Sequence, residues 1–383
     1  MQYRKFGSLD WEVSALGFGA MRLPVLDGDS SRIDEELASR MIRKAIDAGV
    51  NYVDTAYPYH HGQSEPFVGK VLKDGYREKV QLATKMPCWL IEKEADFDRY
   101  FEEQMTRLDV DKIDFYLLHA LDDHGWEKVK NLGVLDWAEK TMAEGLFDHF
   151  GFSFHDEYPV FERIINAYDN WTFAQIQYNY MDINYQAGTK GLKLAADKGL
   201  AVVVMEPLRG GMIAKNPPPS PVGKVWAESS RDWTPAQWAL QWVWNQPEVS
   251  LALSGMSLMP QVEENLVTAS ESAVGKLTDE DLINIERVRQ AYATLEPIPC
   301  TGCEYCLPCP NGVAIPKNFA IYNEAAAYDA WDHGRWAYKN TIDADARADQ
   351  CIECGECEMV CPQHIEIIDW LARVHEVLAE TSQ

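Results

Sequence analysis

Apolar residues along this chain follow two alternating patterns. Short runs that are apolar almost without a break recur at Ala15–Met21, Asn51–Ala56, Val80–Met86, Ile113–Ala120, Phe147–His155, Phe173–Tyr180, Ala201–Leu208 and Leu251–Met256. Runs of this kind suit parallel strands covered on both faces. Between them, stretches such as Ile33–Ala48, Ala95–Leu108, Val134–Glu144 and Gly188–Lys198 carry apolar residues at helical spacing, and the first and last stop at Gly49 and Gly199. Strand–helix units repeated in this order predict an α/β fold, a (β/α)8 TIM barrel. An open doubly wound sheet also alternates, but Gly17-Phe18-Gly19 is followed by Ala20-Met21-Arg22, which is not the glycine-rich turn of that fold. Asn216-Pro217-Pro218-Pro219-Ser220-Pro221 reads as a rigid surface loop after the seventh strand, where barrels carry active-site loops. A helix over Asp279–Thr294 precedes Pro297 and Pro299, which sets expected domain limits at 1–290 and 291–383.

Past that limit the informative residue is cysteine. Eight of the nine cysteines fall in two bursts, and only Cys88 lies elsewhere. The first burst places Cys300, Cys303, Cys306 and Cys309 at intervals of three and ends in Pro310; the second places Cys351, Cys354, Cys357 and Cys361 and ends in Pro362. The second is the C-x2-C-x2-C-x3-C-P run of bacterial [4Fe–4S] proteins, and the first differs only in its last interval. Three thiolates at that spacing wrap one face of a cubane, while the fourth turns toward a neighbouring cluster. Cys300, Cys303, Cys306 and Cys361 are therefore expected to hold one cluster, and Cys351, Cys354, Cys357 and Cys309 the other. A single cluster is the serious rival. Zinc needs no third cysteine at the same interval, and disulfides this close would be strained. Asn318–Arg335 and Ile365–Leu378 have helical spacing, so a small, mainly helical ferredoxin-like domain follows the barrel; it resembles the helical two-cluster modules of respiratory and anaerobic enzymes.

Composition narrows the function classes. The net charge of −25 argues against a nucleic-acid partner, whose phosphates it would repel. No apolar run reaches the roughly 18 residues of a membrane span, and MQYRKFGSLDWEV lacks the apolar centre of a secretory leader. The expectation is a cytoplasmic protein.

The chemistry sits at the carboxyl ends of the strand runs. The second run ends in Asp54-Thr55-Ala56, with Tyr59, Ser64-Glu65 and Gly69-Lys70-Val71-Leu72 after it; the third ends in Thr84-Lys85, the fourth in Leu117-Leu118-His119. These motifs, in this order, resemble the aldo-keto reductase family from about residue 3 to residue 270. The resemblance implies a catalytic tetrad of Asp54, Tyr59, Lys85 and His119, and an NAD(P)-dependent oxidoreductase. It would reduce an aldehyde or ketone, or oxidise the corresponding alcohol. Tyrosine would donate the proton that carbonyl reduction requires; Lys85 would lower its pKa from near 10, Asp54 would orient Lys85, and His119 would orient the carbonyl.

The same resemblance implies cofactor contacts at Gly19, Ser153, Gln175, Met205, Leu208, Gly210, Gly255, Gln261 and Asn265. Phe154 stands where the family has an asparagine, and Met205 where many members stack a tyrosine. Members that prefer NADPH carry a lysine and an arginine near the positions of Gly255 and Gln261, so NADH is expected here. Trp89, His60 and Tyr57 are candidates to line a substrate pocket widened by Met21 and Ala120. Nicotinamide moves two electrons and a cluster one, and coupling them normally takes a flavin. Either the clusters serve an electron-transfer protein, or another cofactor intervenes, or they are structural. The alternative to an enzyme is a redox-sensing or partner-binding protein with a nucleotide-binding barrel of low turnover.

Overall fold

The computed structural model describes residues 1–300 and 302–380. Ten strands form: β1 (Tyr3–Lys5), β2 (Glu12–Ser14), β3 (Leu16–Gly19), β4 (Tyr52–Asp54), β5 (Gln81–Met86), β6 (Ile113–Leu121), β7 (Phe147–Phe154), β8 (Phe173–Gln177), β9 (Ala201–Met205) and β10 (Val249–Ser254). Strands β3 to β10 close a parallel barrel in sequence order, with β10 pairing back onto β3. Each of the eight apolar runs is one barrel strand, because a strand buried between a packed interior and a helical ring has no polar face. Packing divides the chain into two compact units. One is Met1–Ala214 with Trp233–Thr278; the other is Lys215–Asp232 with the chain from Asp279 onward.

The pattern did not announce the β1–β2 hairpin, whose three-residue strands are too short for a period to register. It closes the amino-terminal end of the barrel. Phe6 is fully buried there and packs on Phe115 and Phe173 at ring-centroid distances of 4.8 and 5.7 Å. The turn needs Gly7, which has φ +56° and lies so close to the barrel wall that a Cβ would sit 2.4 Å from the Ala201 amide.

In the second unit the proline loop is shorter than expected. A helix starts at Ser220 and runs to Ala227, with Pro221 in its first turn, where the missing N–H is no loss. Helix Asp279–Ala293 packs on it, and Arg231 binds the buried Asp281 carboxylate at 2.7 Å. By packing, residues 279–290 belong to the second compact unit. The single helical pattern over Asn318–Arg335 is two helices, Ile315–Ala327 and Trp331–Thr341, broken at Asp329 with φ +48°. With Ile367–Leu378 they enclose Phe319, Tyr322, Tyr338, Leu371 and Val374, and six of the eight clustered cysteines pack against this core. Among the described residues no helix is long and apolar enough to cross a membrane.

Candidate active site and cysteine centres

The ends of three neighbouring strands, β4, β5 and β6, with the turn after β4, bring the tetrad together. Lys85 Nζ donates to Asp54 Oδ1 at 2.6 Å, to the Thr55 carbonyl at 2.8 Å and to the Tyr59 hydroxyl at 3.4 Å. The Tyr59 and His119 rings meet edge-on, with centroids 5.9 Å apart. Asp54 and Lys85 are buried and Tyr59 is half-buried at the cleft, so each proton's place is set largely by its neighbours. Burial pulls Lys85 down, but Asp54 and Tyr59 outweigh it and hold the ammonium charged. Burial lifts Tyr59 above its ordinary value, and Lys85 only partly offsets this. The net direction is thus opposite to the sequence expectation: the phenol is kept protonated. Burial, then the charges of Lys85 and His155, pull His119 well down, so its imidazole is neutral and its Nδ1 has no partner.

A second layer fixes Lys85. Buried Glu65, the acid of the Ser64-Glu65 motif, accepts from Thr84 at 2.7 Å and from Gln104 at 2.6 Å, and Gln104 also donates to the Lys85 carbonyl at 3.0 Å. Burial raises the Glu65 carboxyl despite these partners. Tyr57 belongs to this layer and not to a pocket: its hydroxyl donates to Glu103 at 3.2 Å and Arg107 lies over its ring. His60 likewise turns from the tetrad, its Nε2 accepting from the Leu23 amide at 3.2 Å. Trp89 does reach the site, with its ring 5.2 Å from that of His119.

The tetrad lines a cleft of about 180 Å³ together with Gly19, Met21, Ser153, Gln175, Met205 and Gly255. Four expected cofactor positions stand outside that lining. Leu208 is half-buried in the turn after β9, and Gly210 is exposed at φ +64°. Asn265 donates to Ser254 Oγ at 3.1 Å. The side-chain oxygen of Gln261 accepts from the Ser257 and Leu258 amides at 2.8 and 3.1 Å, closing the N-terminus of helix Met259–Ser270. Four lining residues, Arg22, His155, Glu206 and Leu253, are not among the expected positions. His155 follows Ser153 by one inward step of β7, while Phe154 between them packs outward on Phe161. Arg22 and Glu206 pair at 3.3 Å, joining the β3 and β9 loops.

The cysteines gather as their spacing predicts for the first set. Cys300, Cys303, Cys306 and Cys361 line one small cavity of about 20 Å³ with Ile315 and Phe319. Burial raises Cys306, with Cys300, Cys303 and Cys361 adding to the rise. In the second set burial lifts Cys357 to about 11, helped by Glu358, Cys351 and Cys354. Thiols so placed would not ionise together without a cationic centre among them. The two loops share one backbone device. Positive φ flanks the second cysteine of each, at Gly302 (+67°) and Glu304 (+63°), and at Glu353 (+57°) and Gly355 (+76°). Alternation of this kind turns successive amides inward, the arrangement that cradles sulfur clusters. The Glu353 amide donates to Cys351 Sγ at 3.4 Å. No group of three or more His, Cys, Asp or Glu among the described residues is arranged to hold a single metal ion. Cys88 is buried and apart, its thiol pushed up to about 12 by burial.

Residues 15–290 match the aldo/keto reductase family. The chain belongs to that family. Residues 299–366 match the 4Fe-4S dicluster domain. Among curated proteins, "Probable aldo-keto reductase 1" of Glycine max is 26% identical over 376 residues, covering 90% of this chain and 96% of its own. L-galactose dehydrogenase of Arabidopsis thaliana is 26% identical over 316 residues, or 78% and 95%. Among solved structures, the holo form of an aldo-keto reductase from Bacillus halodurans is 27% identical with a TM-score of 0.63, covering 75% of this chain and 96% of that one. An aldo-keto reductase from Klebsiella pneumoniae in complex with NADPH shares the fold, at 24% identity and a TM-score of 0.60, over 75% and 95%. Along the chain, the aldo/keto reductase match is thus followed by a 4Fe-4S dicluster match, and the chain is an oxidoreductase.

Proposed function

We propose that the barrel reduces an aldehyde or ketone, or oxidises the matching alcohol, with NADH as partner, and that the cysteine loops hold two [4Fe–4S] clusters. The observation that carries the first half is the Asp54–Lys85–Tyr59 chain opening on the cleft. The cleft also fits a nicotinamide. Buried Gln175 has an unpartnered Oε1 there, an acceptor for a carboxamide N–H; Ser153 stands opposite it on the neighbouring strand, and His155 lies just past that strand's end. When bound, the nicotinamide supplies or takes hydride. Tyr59 then delivers its proton to the carbonyl oxygen, and the Lys85 ammonium stabilises the charge left on the phenol oxygen. Neutral His119 orients the carbonyl oxygen by hydrogen bonding rather than by charge. We read the chain to about residue 290 as the reductase part and the remainder as the electron-transfer part.

Two clusters rather than one are supported by the matched positive-φ pattern, since a vestigial loop has no reason to keep Glu304 in a strained conformation. Anaerobically purified protein should contain about eight iron and eight acid-labile sulfide per chain. It should also consume NADH with some members of a panel of aldehydes and ketones. Four of each would leave one cluster. Tight NADH binding with no turnover across the panel would favour a sensor over an enzyme.

The preference for NADH rests on the approach to helix Met259–Ser270, where Gln261 already takes the Ser257 and Leu258 amides and no cation stands at 255 or 261. A 2′-phosphate placed there would find those two amides occupied, and the nearby Arg22 is paired with Glu206. NADH should exceed NADPH in kcat/KM by roughly ten- to a hundredfold, the worth of one or two charge-assisted hydrogen bonds. Gln261→Arg should narrow the gap; equal use of both cofactors by the unaltered protein would reject the assignment.

A further inference from the structure

The two cysteine loops differ from the rest of the surface in charge and in exposed apolar area. Residues 300–316 and 348–372 contain no lysine or arginine, but seven carboxylates: Glu304, Asp349, Glu353, Glu356, Glu358, Glu366 and Asp369. On the barrel, by contrast, carboxylates are interleaved with lysines and arginines, many of them in pairs such as Lys44–Glu263 and Lys112–Asp148. In the same loops Tyr305, Ile352, Met359 and Val360 are 68, 59, 80 and 50% exposed. Cys303 and Cys354, the second cysteine of each loop, are also exposed. The ligand loops therefore show solvent both carboxylates and large apolar side chains, and Tyr305 lines one cavity with Cys361, which follows Met359 and Val360 in the chain.

We propose that this surface docks a redox protein with a lysine- or arginine-rich rim around an apolar patch, behind which lies a one-electron centre. The proposal rests on reading the loops as iron–sulfur sites. Three observations lead to it. Acidic loops without lysine or arginine attract and orient a basic partner, which raises the encounter rate and sets register. Large apolar side chains left in water at one place mark a contact surface rather than a solvated face. The exposed cysteines bring the ligand side of each loop to within a side chain of that contact. A cluster held by these cysteines would supply single electrons, so one electron would pass to the partner's centre, which would be reduced by one as the cluster was oxidised by one, with no bond broken or formed and no proton moved. This fits the mismatch between hydride and cluster chemistry, because the surface offers single electrons to a second protein.

Ferric cytochrome c, a haem protein with a lysine-rich face, is the probe. Anaerobically purified full-length protein is reduced with dithionite, desalted and mixed with cytochrome c in a stopped-flow instrument. The second-order rate constant should fall at least tenfold between about 10 mM and 200 mM salt, as the Debye length shortens from about 30 Å to under 10 Å. Glu353→Lys/Glu356→Lys should lower it about tenfold at low salt and weaken cytochrome c binding to the oxidised protein, measured by calorimetry, in parallel. Met359→Asp should weaken binding without altering the salt slope. The control Glu36→Lys/Glu78→Lys, which changes net charge equally on the barrel, should do neither, and iron and sulfide content should match in all variants. Equal losses in the loop and barrel variants, or a rate indifferent to salt, would overturn the docking surface. Absence of iron and sulfide in the unaltered protein would overturn the reading beneath it instead.

Discussion

Tyr59→Phe loses carbonyl reduction by a factor of about 10² to 10⁴ in kcat, the span that a positioned proton donor typically contributes. The substitution removes one oxygen from a buried ring and leaves the face toward Lys85 and His119 in place. NADH affinity, measured by fluorescence titration, should therefore change little. The pH profile carries the same assignment. Because the Tyr59 value is raised, reduction in the unaltered enzyme should hold through neutral pH and fall only in the alkaline range, as the phenol loses its proton. The reverse oxidation needs the phenolate as base and should rise over that range. A Tyr59→Phe enzyme that kept more than a tenth of its activity would move the proton donor elsewhere in the cleft.

Lys85→Met is the most damaging single change expected for stability. Lys85 and Asp54 are both buried and paired at 2.6 Å. Removing the cation leaves an uncompensated carboxylate, and breaking a buried pair from one side costs about 3–5 kcal/mol. The Thr55 carbonyl loses a donor at the same time. Thermal or denaturant unfolding of the variant should show that loss. The double variant Asp54→Leu/Lys85→Met should recover much of it without recovering activity, since the buried charge goes with its partner. A single variant as stable as the parent would mean that water already reaches the pair.

How much of this was visible in the sequence depended on the length of the signal. Eight strands stood out because each is a run of apolar residues with no polar face. The β1–β2 hairpin did not, since three residues cannot display a period. The break between helices Ile315–Ala327 and Trp331–Thr341 was hidden because Asp329 takes the left-handed turn that a glycine would have advertised. At the site, Asp54, Tyr59, Lys85 and His119 were legible through motifs anchored to strand ends. His155 was passed over because the residue before it, Phe154, drew attention to the wrong side of β7. Arg22 and Glu206 could not be paired by any local rule, being 184 residues apart. The cysteine spacing was legible in full, but the shared backbone of the two loops needed φ values to see.

Phe6 and the rings around it fill one end of the barrel completely, and this governs traffic. The tetrad cleft lies at the other end, where the Arg22–Glu206 pair joins two of the loops beside it. A molecule reaching Tyr59 would have to approach from that side, so packing at the blind end sets the direction of approach at the open one.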